Sequence, residues 1–513
     1  MHRTLLVPLL VGLIVVSAPP PARAGVGSEA PPAMVPVVWL EPSPGPPVAK
    51  GALPLYRSIP ADDARVRDGE RLLDNEPARF MRHLIAWAWQ TFGAPPDWPN
   101  QQLPIVLQPG GNYARSGFRL LVHGVPEDHR DVPYIILELD ASSLSDTFLH
   151  EGGHVLHSIA ARGHRPSAEW SAVLHTTFAV TDPLTAMAEG YAIHFETLLG
   201  HYGRDPEKRN FYHRVAPAFD LQHSKRAEFY APVADLLTFS QSWARYQAVR
   251  DTWPAFSGHV YPDDYLRSQF DPARDRAALK PPNAMIASEG VVASVLFWTS
   301  AGLAEKAGAR FGEGLEQPAI AAAEQTILRA IGRLPARRGF RPDLVDLVAE
   351  IGEPGSTARE LAVSRFVAVT RGVTARPEVR TKWRALYRDA VSLDVEGVKP
   401  LFTDLDAVRD AITAEALADP GVLRKGIGPV LPVSAPKVPL QLKAFGEAFT
   451  LAFDLNAATD AEWLAAGATE ATCTRILGER DRAPFASIGD FEKRTSTTLA
   501  ALGLEPVEMT AGS

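Results

Sequence analysis

Two histidines four residues apart, with a glutamate between them, are the residues of this sequence best suited to chemistry. His150 and His154 stand in the run His-Glu-Gly-Gly-His. On an α-helix, residues four apart lie on one face about 6 Å from each other, so both imidazoles can bind the same metal ion. Glu151 lies about 100° round the helix from His150. From there its carboxylate can deprotonate a water molecule at the metal, and the motif therefore predicts metal-assisted hydrolysis.

A catalytic zinc site needs a third protein ligand and an open coordination position. We choose Glu189, which lies 35 residues after His154 in a helical segment that could run antiparallel to the first helix. Glu196 and Glu289 are the alternatives, and Glu196 shares the face of Glu189, where it could instead orient a ligating histidine. His157 is a competing ligand, but it lies too far along the helix axis to complete a tetrahedral set.

Two glycines in the motif call for an explanation. Gly152 and Gly153 occupy the middle of the predicted helix, where each costs about 1 kcal/mol relative to alanine. Either the missing side chains let neighbouring backbone or substrate approach the metal, or a well-packed helix tolerates them.

Hydrolysis of this kind also needs a donor for the developing oxyanion. Tyr265 is our candidate, in a stretch that also contains His259, Tyr261 and Arg267. The alternative interpretation of this stretch is a solvated loop.

The chain around the motif predicts helices and a few strands. Residues 62–93 have helical spacing divided near Pro77, and residues 142–161 form the motif helix, with Ser143 and Gly163 as caps. Strand character appears at residues 103–107, 117–122 and 134–139, and a hairpin is expected over residues 438–453. Further helices are predicted at residues 185–199, 284–306, 319–331, 343–351, 360–370 and 379–391. The fold class expected is α+β, predominantly helical with a small sheet.

The motif and its predicted third ligand resemble the gluzincin metallopeptidases. In those proteins His-Glu-x-x-His on one helix and a glutamate on a downstream helix bind one zinc ion, which implies His150, His154 and Glu189 as ligands and Glu151 as catalytic base. The spelling His-Glu-Gly-Gly-His-Val-Leu-His is similar to the thimet-type oligopeptidases, which place the motif late in the chain rather than in its first third. The resemblance implies a zincin-like core, in which an edge strand holds an extended peptide. Residues 134–139 are the candidate edge strand, with an ordinary buried strand as the alternative.

The first 24 residues are typical of a secretory signal peptide. His2 and Arg3 precede an apolar stretch over residues 5–16, and an Ala-Arg-Ala sequence ends at residue 24. This stretch is shorter than the roughly 18–20 residues that span a membrane, which disfavours a membrane anchor. We expect cleavage before Gly25 and a periplasmic or secreted protein without stable membrane insertion.

Composition and charge exclude several classes of protein. The chain has 513 residues, 46% of them hydrophobic, which excludes global disorder. Its net charge of −8 offers no general basic field for nucleic acid. The single cysteine, Cys473, cannot form an intramolecular disulfide, so stability must come from the core. The predicted divisions are the signal peptide (1–24), a Pro-rich linker (25–55), a zincin-like domain (56–345), a helical region (346–437) and a hairpin with a helical tail (438–513).

About 45 residues of the tail resemble the helix-hairpin-helix modules of exported DNA-uptake proteins. Those modules hold a phosphate with the backbone of two glycines, but Thr469 stands where the second glycine belongs. Residues 441–513 also carry 6 Lys and Arg against 11 Asp and Glu. We therefore expect no nucleic-acid binding here, and interpret the tail as a helical packing or protein-contact module in which Cys473 is a small buried group.

Three hypotheses follow from the sequence. The leading one is an exported zinc-dependent peptidase acting on a peptide or protein substrate. The second is a zincin-shaped binding or scaffold protein of the cell envelope that has lost catalysis, although Glu151 has no use in a purely structural site. The third is nucleic-acid binding through the tail.

Overall fold

The computed structural model contains a β-barrel, helices packed against it, and a small C-terminal sheet with its own helices. The residues described are 34–44, 52–109, 111–138, 144–161, 180–205, 280–335, 342–380, 382, 395–442, 447–458 and 460–507. This mixture of helix and strand confirms the α+β class. Among the helices within these ranges, none is long and apolar enough to cross a membrane. The predicted signal peptide lies outside them.

Five strands close into the barrel. They are β1 (Val37–Pro42), β2 (Leu55–Ser58), β3 (Leu103–Leu107), β4 (Tyr113–Val122) and β5 (Val125–Leu137). Their order is β1-β2-β4-β5-β3, and parallel pairing of β3 with β1 closes the ring. Alternate residues face opposite sides of each strand. Val106 and Ile136 pack inside the barrel, whereas Ile105 and Leu107 join the larger core shared with the helices.

Strand β1 corrects the prediction of an extended Pro-rich linker over residues 25–55 for the part from Val37 to Pro42. Trp39 and Leu40 are 5% and 0% exposed and belong to the helix-facing core and the barrel interior respectively. A strand covered on both faces is a continuous apolar run without alternation. Because the run is short and prolines flank it at Pro36 and Pro42, its composition resembles that of a linker.

Strand β5 corrects the prediction that residues 134–139 form an edge strand. Ile135 and Ile136 pair in parallel with β3 and antiparallel with β4, and Leu137 pairs with Leu107 on β3. The backbone hydrogen-bonding groups of Ile135 and Ile136 are therefore used on both sides, since a closed barrel has no edge. The ordinary buried strand was the correct alternative for these residues.

The helices that precede the tail agree, with one exception, with the sequence periodicity within a few residues at their ends. They are α1 (Ala64–Leu73), α2 (Glu76–Phe92), α3 (Leu144–Ala161), α4 (Pro183–Tyr202), α5 (Pro282–Ile286), α6 (Glu289–Lys306), α7 (Pro318–Arg333), α8 (Leu344–Glu350), α9 (Thr357–Val369) and α10 (Val395–Ala418). Helix α10 is the exception, since it was not predicted. The helix predicted over residues 284–306 is divided at Ser288, which forms a bridge with Val180. Helix α3 packs against α2, α4, α7, β4 and β5, so it lies between the barrel and the helices. Most of the helix predicted over residues 379–391 lies outside the described residues.

The tail contains the predicted hairpin and short helices. Its elements are β6 (Pro432–Leu442), β7 (Glu447–Asp454), α11 (Asp460–Ala465), α12 (Glu470–Arg482), α13 (Ile488–Thr495) and β8 (Glu505–Pro506). Strands β6 and β7 pair antiparallel, which confirms the hairpin. Trp463 and Phe491 stack with ring centroids 5.6 Å apart, and Cys473 is buried as expected. Thr469 caps α12 by accepting a hydrogen bond of 3.2 Å from the Thr472 amide, a role that glycine could not fill.

Candidate metal centre

Helices α3 and α4 position the predicted metal ligands. His150, Glu151 and His154 lie on α3, whose predicted cap residues Ser143 and Gly163 are outside the described residues. Helix α4 begins at Pro183, two residues before the start of the predicted range 185–199. Asp182 caps it by accepting hydrogen bonds from the amides of Leu184 at 3.1 Å and Thr185 at 3.0 Å.

The structure brings the side chains of His150, His154 and Glu189 together. In the described part of the chain, this is the one group of three histidine, cysteine or acidic side chains whose ligand atoms converge, all within 4.8 Å of one another. The two Nε2 atoms are 3.2 Å apart. Glu189 Oε2 lies 3.3 Å from His154 Nε2 and 3.5 Å from His150 Nε2. Each of the three side chains is about one-fifth exposed, so none of them is fully buried.

The dimensions of this triangle fit zinc. Bonds of about 2.0–2.1 Å from a tetrahedral zinc ion to nitrogen and oxygen place the ligand atoms about 3.3 Å from each other. The three observed separations, 3.2, 3.3 and 3.5 Å, lie close to that value. Two imidazoles and one carboxylate are also a donor set that zinc uses in catalytic sites, where the fourth position is left for water or substrate.

Glu196 supports the centre from the other nitrogen of His150. Its Oε1 lies 2.8 Å from His150 Nδ1. Because an ionised carboxylate only accepts hydrogen bonds, Nδ1 donates to Glu196, and Nε2 is the ring nitrogen that faces the cluster. Burial alone would lower the pKa of His150, but hydrogen bonds with Glu189 and Glu196 outweigh it and raise the pKa well above its usual value. The raised pKa means that His150 holds a proton on Nε2 when no metal is bound. A dication in the centre would displace this proton.

Replacing Glu196 with alanine is expected to weaken zinc binding by about 10- to 100-fold, since partners that orient a ligating histidine typically contribute that much. Competition with a chromophoric chelator measures the affinity. Glu305→Ala is the matched control, because Glu305 pairs with another α4 histidine, His201, at 3.3 Å but lies outside the cluster. Equal affinities for wild type and Glu196→Ala would contradict the assigned role.

Glu151 lies beside the cluster without contributing one of its three converging atoms. Its side chain is buried, with the residue 7% exposed. Its negative charge is among the causes that raise the pKa of His150, so the two groups interact electrostatically. This placement agrees with the position expected for a general base next to, but outside, the ligand set.

The two motif glycines allow the neighbouring helices to approach α3. A Cβ added at Gly152 would lie 2.4 Å from Met81 Cγ on α2, and one at Gly153 would lie 2.8 Å from Ala192 Cα on α4. The close approach that the sequence suggested therefore occurs between helices. It sets the distance between α3 and α4, which together hold the cluster.

Gly153→Ala is expected to destabilise the protein by about 1–3 kcal/mol, because backbone on α4 must move to accommodate the new methyl group. Gly478→Ala on α12 is the matched control. No atom lies within 4 Å of a Cβ added there. Because alanine has a higher helix propensity than glycine, Gly478→Ala should raise the free energy of unfolding by up to about 1 kcal/mol. Urea unfolding followed by circular dichroism measures both, and a neutral Gly153→Ala would contradict the packing role.

Two of the remaining candidate residues are not part of the cluster. Glu289 begins α6 and is 2% exposed, and His157 is 4% exposed with its ring 6.0 Å from that of Tyr191. Neither belongs to the converging group. Tyr265, the predicted oxyanion donor, lies outside the described residues, so its role stays a prediction.

A buried network that the sequence did not reveal supports helix α4. His194 Nε2 lies 2.9 Å from Glu324 Oε2 on α7, and both residues are 0% exposed. The Nδ1 atom of His194 contacts the carbonyl of Tyr191, and the Ser300 hydroxyl on α6 donates to Glu324. These contacts connect α4 to α6 and α7. Only the folded chain brings them together, because nothing in the spacing of these residues marks them as partners.

Comparisons of this chain with protein-family models, with curated proteins and with solved structures found no match. The interpretation of the centre therefore depends on its residues and their geometry.

Proposed function

We propose that this protein is a zinc-dependent hydrolase of peptide bonds. The observation that carries the proposal is the triangle formed by His150 Nε2, His154 Nε2 and Glu189 Oε2, whose sides fit a tetrahedral zinc ion. A zinc ion bound there would polarise a scissile carbonyl group and lower the pKa of a water molecule in the fourth position.

The protein side chains around this position have distinct roles in the proposal. Glu151 takes a proton from the attacking water and later delivers it to the leaving amine. Glu196 holds His150 in the tautomer whose Nε2 faces the centre, through the 2.8 Å contact at Nδ1. A structural site has no need of a buried carboxylate next to the ligands, so the presence of Glu151 favours catalysis over a purely structural role.

The substrate and the place of action are also part of the proposal. The signal-like first 24 residues favour action outside the cytoplasm, on a peptide or protein of the cell envelope or its surroundings. The acidic tail favours a contact with protein over one with nucleic acid.

The test is hydrolysis of a quenched-fluorescent peptide library by the purified mature protein. We expect activity that a chelator abolishes and that about one equivalent of zinc restores. A folded protein that binds zinc with the expected stoichiometry but cleaves no library member would instead support the binding or scaffold hypothesis. Absence of zinc after reconstitution would contradict both the metal site and the peptidase.

A further inference from the structure

A cavity at one end of the barrel is a second candidate site. Its volume is 570 Å³, within the range of about 300–1,000 Å³ typical of small-molecule sites. Residues of β2, β4 and β5 line it, together with the segments that flank β2 and β3. Its described lining includes none of the residues of the metal centre. We call this cavity the barrel pocket.

Two tyrosines of the pocket lining, Tyr56 and Tyr134, belong to an aromatic cluster that fills the barrel interior. The ring centroid of Phe118 is 6.1 Å from that of Tyr56, 5.4 Å from that of Tyr134 and 5.6 Å from that of Trp98. A barrel of five strands is too narrow for an open lumen, so its interior is filled by side chains. The cavity is therefore a pocket at the barrel mouth rather than a channel.

The charge of the pocket is positive, in contrast to the net charge of −8 of the chain. Its described lining contains one arginine, Arg115, and neither aspartate nor glutamate. The Arg115 guanidinium lies 4.8 Å from the centroid of the Tyr113 ring. Within the described ranges it makes no ion pair, unlike Arg57 and Arg130 on the neighbouring strands, which pair with Glu41 and Asp128. An unpaired cation at a pocket rim attracts an anion.

Hydroxyl groups and apolar walls complete the pocket. The hydroxyls of Tyr56 and Tyr134 are 3.4 Å apart, and Gln108 Nε2 donates to the Tyr113 hydroxyl at 3.0 Å. Burial raises the pKa of both Tyr56 and Tyr134, and the charge of Arg115 opposes this, so its field reaches both rings. Both phenols therefore stay neutral, and the one that accepts the hydrogen bond between them keeps its own O–H to donate to an anion.

We propose that the barrel pocket binds an organic carboxylate with an apolar or aromatic body. The carboxylate pairs with the planar fork of Arg115. The body of the ligand covers the apolar wall formed by Leu53, Pro54, Leu55 and Ile136. Inorganic phosphate would find the same cation but would leave this wall uncovered, so it should bind more weakly.

The test is calorimetric titration of the full-length mature protein with N-acetylphenylalanine, its uncharged amide, and inorganic phosphate. A chelator is present throughout, because a carboxylate would also bind a metal ion. We expect the carboxylate to bind at least about tenfold more tightly than the amide or phosphate, since the amide lacks the charge-assisted pair and phosphate leaves the apolar wall uncovered. Arg115→Gln should remove this preference, and its exposed position should leave folding intact.

Two control variants make the assignment specific. Arg130→Gln changes another barrel arginine that is outside the pocket lining, and should leave the affinity unchanged. His150→Ala disables the metal centre and should also leave it unchanged, so this proposal and the peptidase proposal can fail separately. The carboxylate site would be overturned if N-acetylphenylalanine did not bind, or if the amide or phosphate bound equally well. It would also be overturned if Arg115→Gln kept the preference for the carboxylate, or if His150→Ala lost the binding.

Discussion

Replacing Glu189 with alanine is expected to reduce bound zinc from about one ion per chain to a small fraction of that. The variant loses one of three donor atoms, and the two histidines alone cannot complete the triangle. The loss of affinity should exceed the roughly 10- to 100-fold expected for a supporting residue such as Glu196. Glu189 is partly exposed, so the variant should fold.

Elemental analysis of purified wild type, Glu189→Ala and His150→Ala measures this directly. Glu289→Gln is the informative control, because Glu289 is the alternative third ligand and lies outside the cluster. It should keep its zinc. Full zinc content in Glu189→Ala together with loss in Glu289→Gln would move the third ligand to α6, and circular dichroism excludes unfolding as the cause.

Replacing Glu151 with glutamine is expected to lower peptide hydrolysis by about 10²- to 10⁴-fold, the usual contribution of a general base. Glutamine has the shape of glutamate but cannot accept a proton at neutral pH. Zinc content should stay at the wild-type level, because Glu151 is not one of the three converging ligands. Retained zinc together with a lower rate of hydrolysis would distinguish a general base from a metal ligand.

The measurement is kcat/KM on the best peptide from the library, with zinc determined in the same samples. Glu305→Gln is a suitable control, since it alters a carboxylate near α4 that lies apart from the centre. An unchanged rate in Glu151→Gln would remove the proposed mechanism. A parallel fall in zinc content would show that Glu151 acts on the metal rather than on water.

The closed barrel limits how a substrate could be held. The resemblance to gluzincins implied an edge strand for an extended peptide, but Ile135 and Ile136 are paired on both sides. A peptide cannot add to β5 over these residues, because their backbone groups are already used. The strand that the resemblance implied for holding a peptide is therefore not available at Ile135 and Ile136.

The sequence by itself determined which side chains share a helix face in the candidate metal centre. Spacing of four on a helix places His150 and His154 on one face whatever surrounds them, and the cap at Asp182 fixes the start of α4 locally. The spacing of seven between Glu189 and Glu196 likewise places both on one face of α4. These relations join residues close together in the chain, so they follow from the sequence without knowledge of the fold.

Only the tertiary structure decided that the strands close into a barrel and that Trp39 belongs to it. Strand pairing joins residues far apart in the chain, such as Val37 with Leu103, and no local pattern specifies the partner. The same holds for the buried contact of His194 with Glu324 and for the barrel pocket around Arg115. Local periodicity determines which face of a helix or strand a side chain occupies. Packing between segments distant in the chain determines which other residues that face contacts.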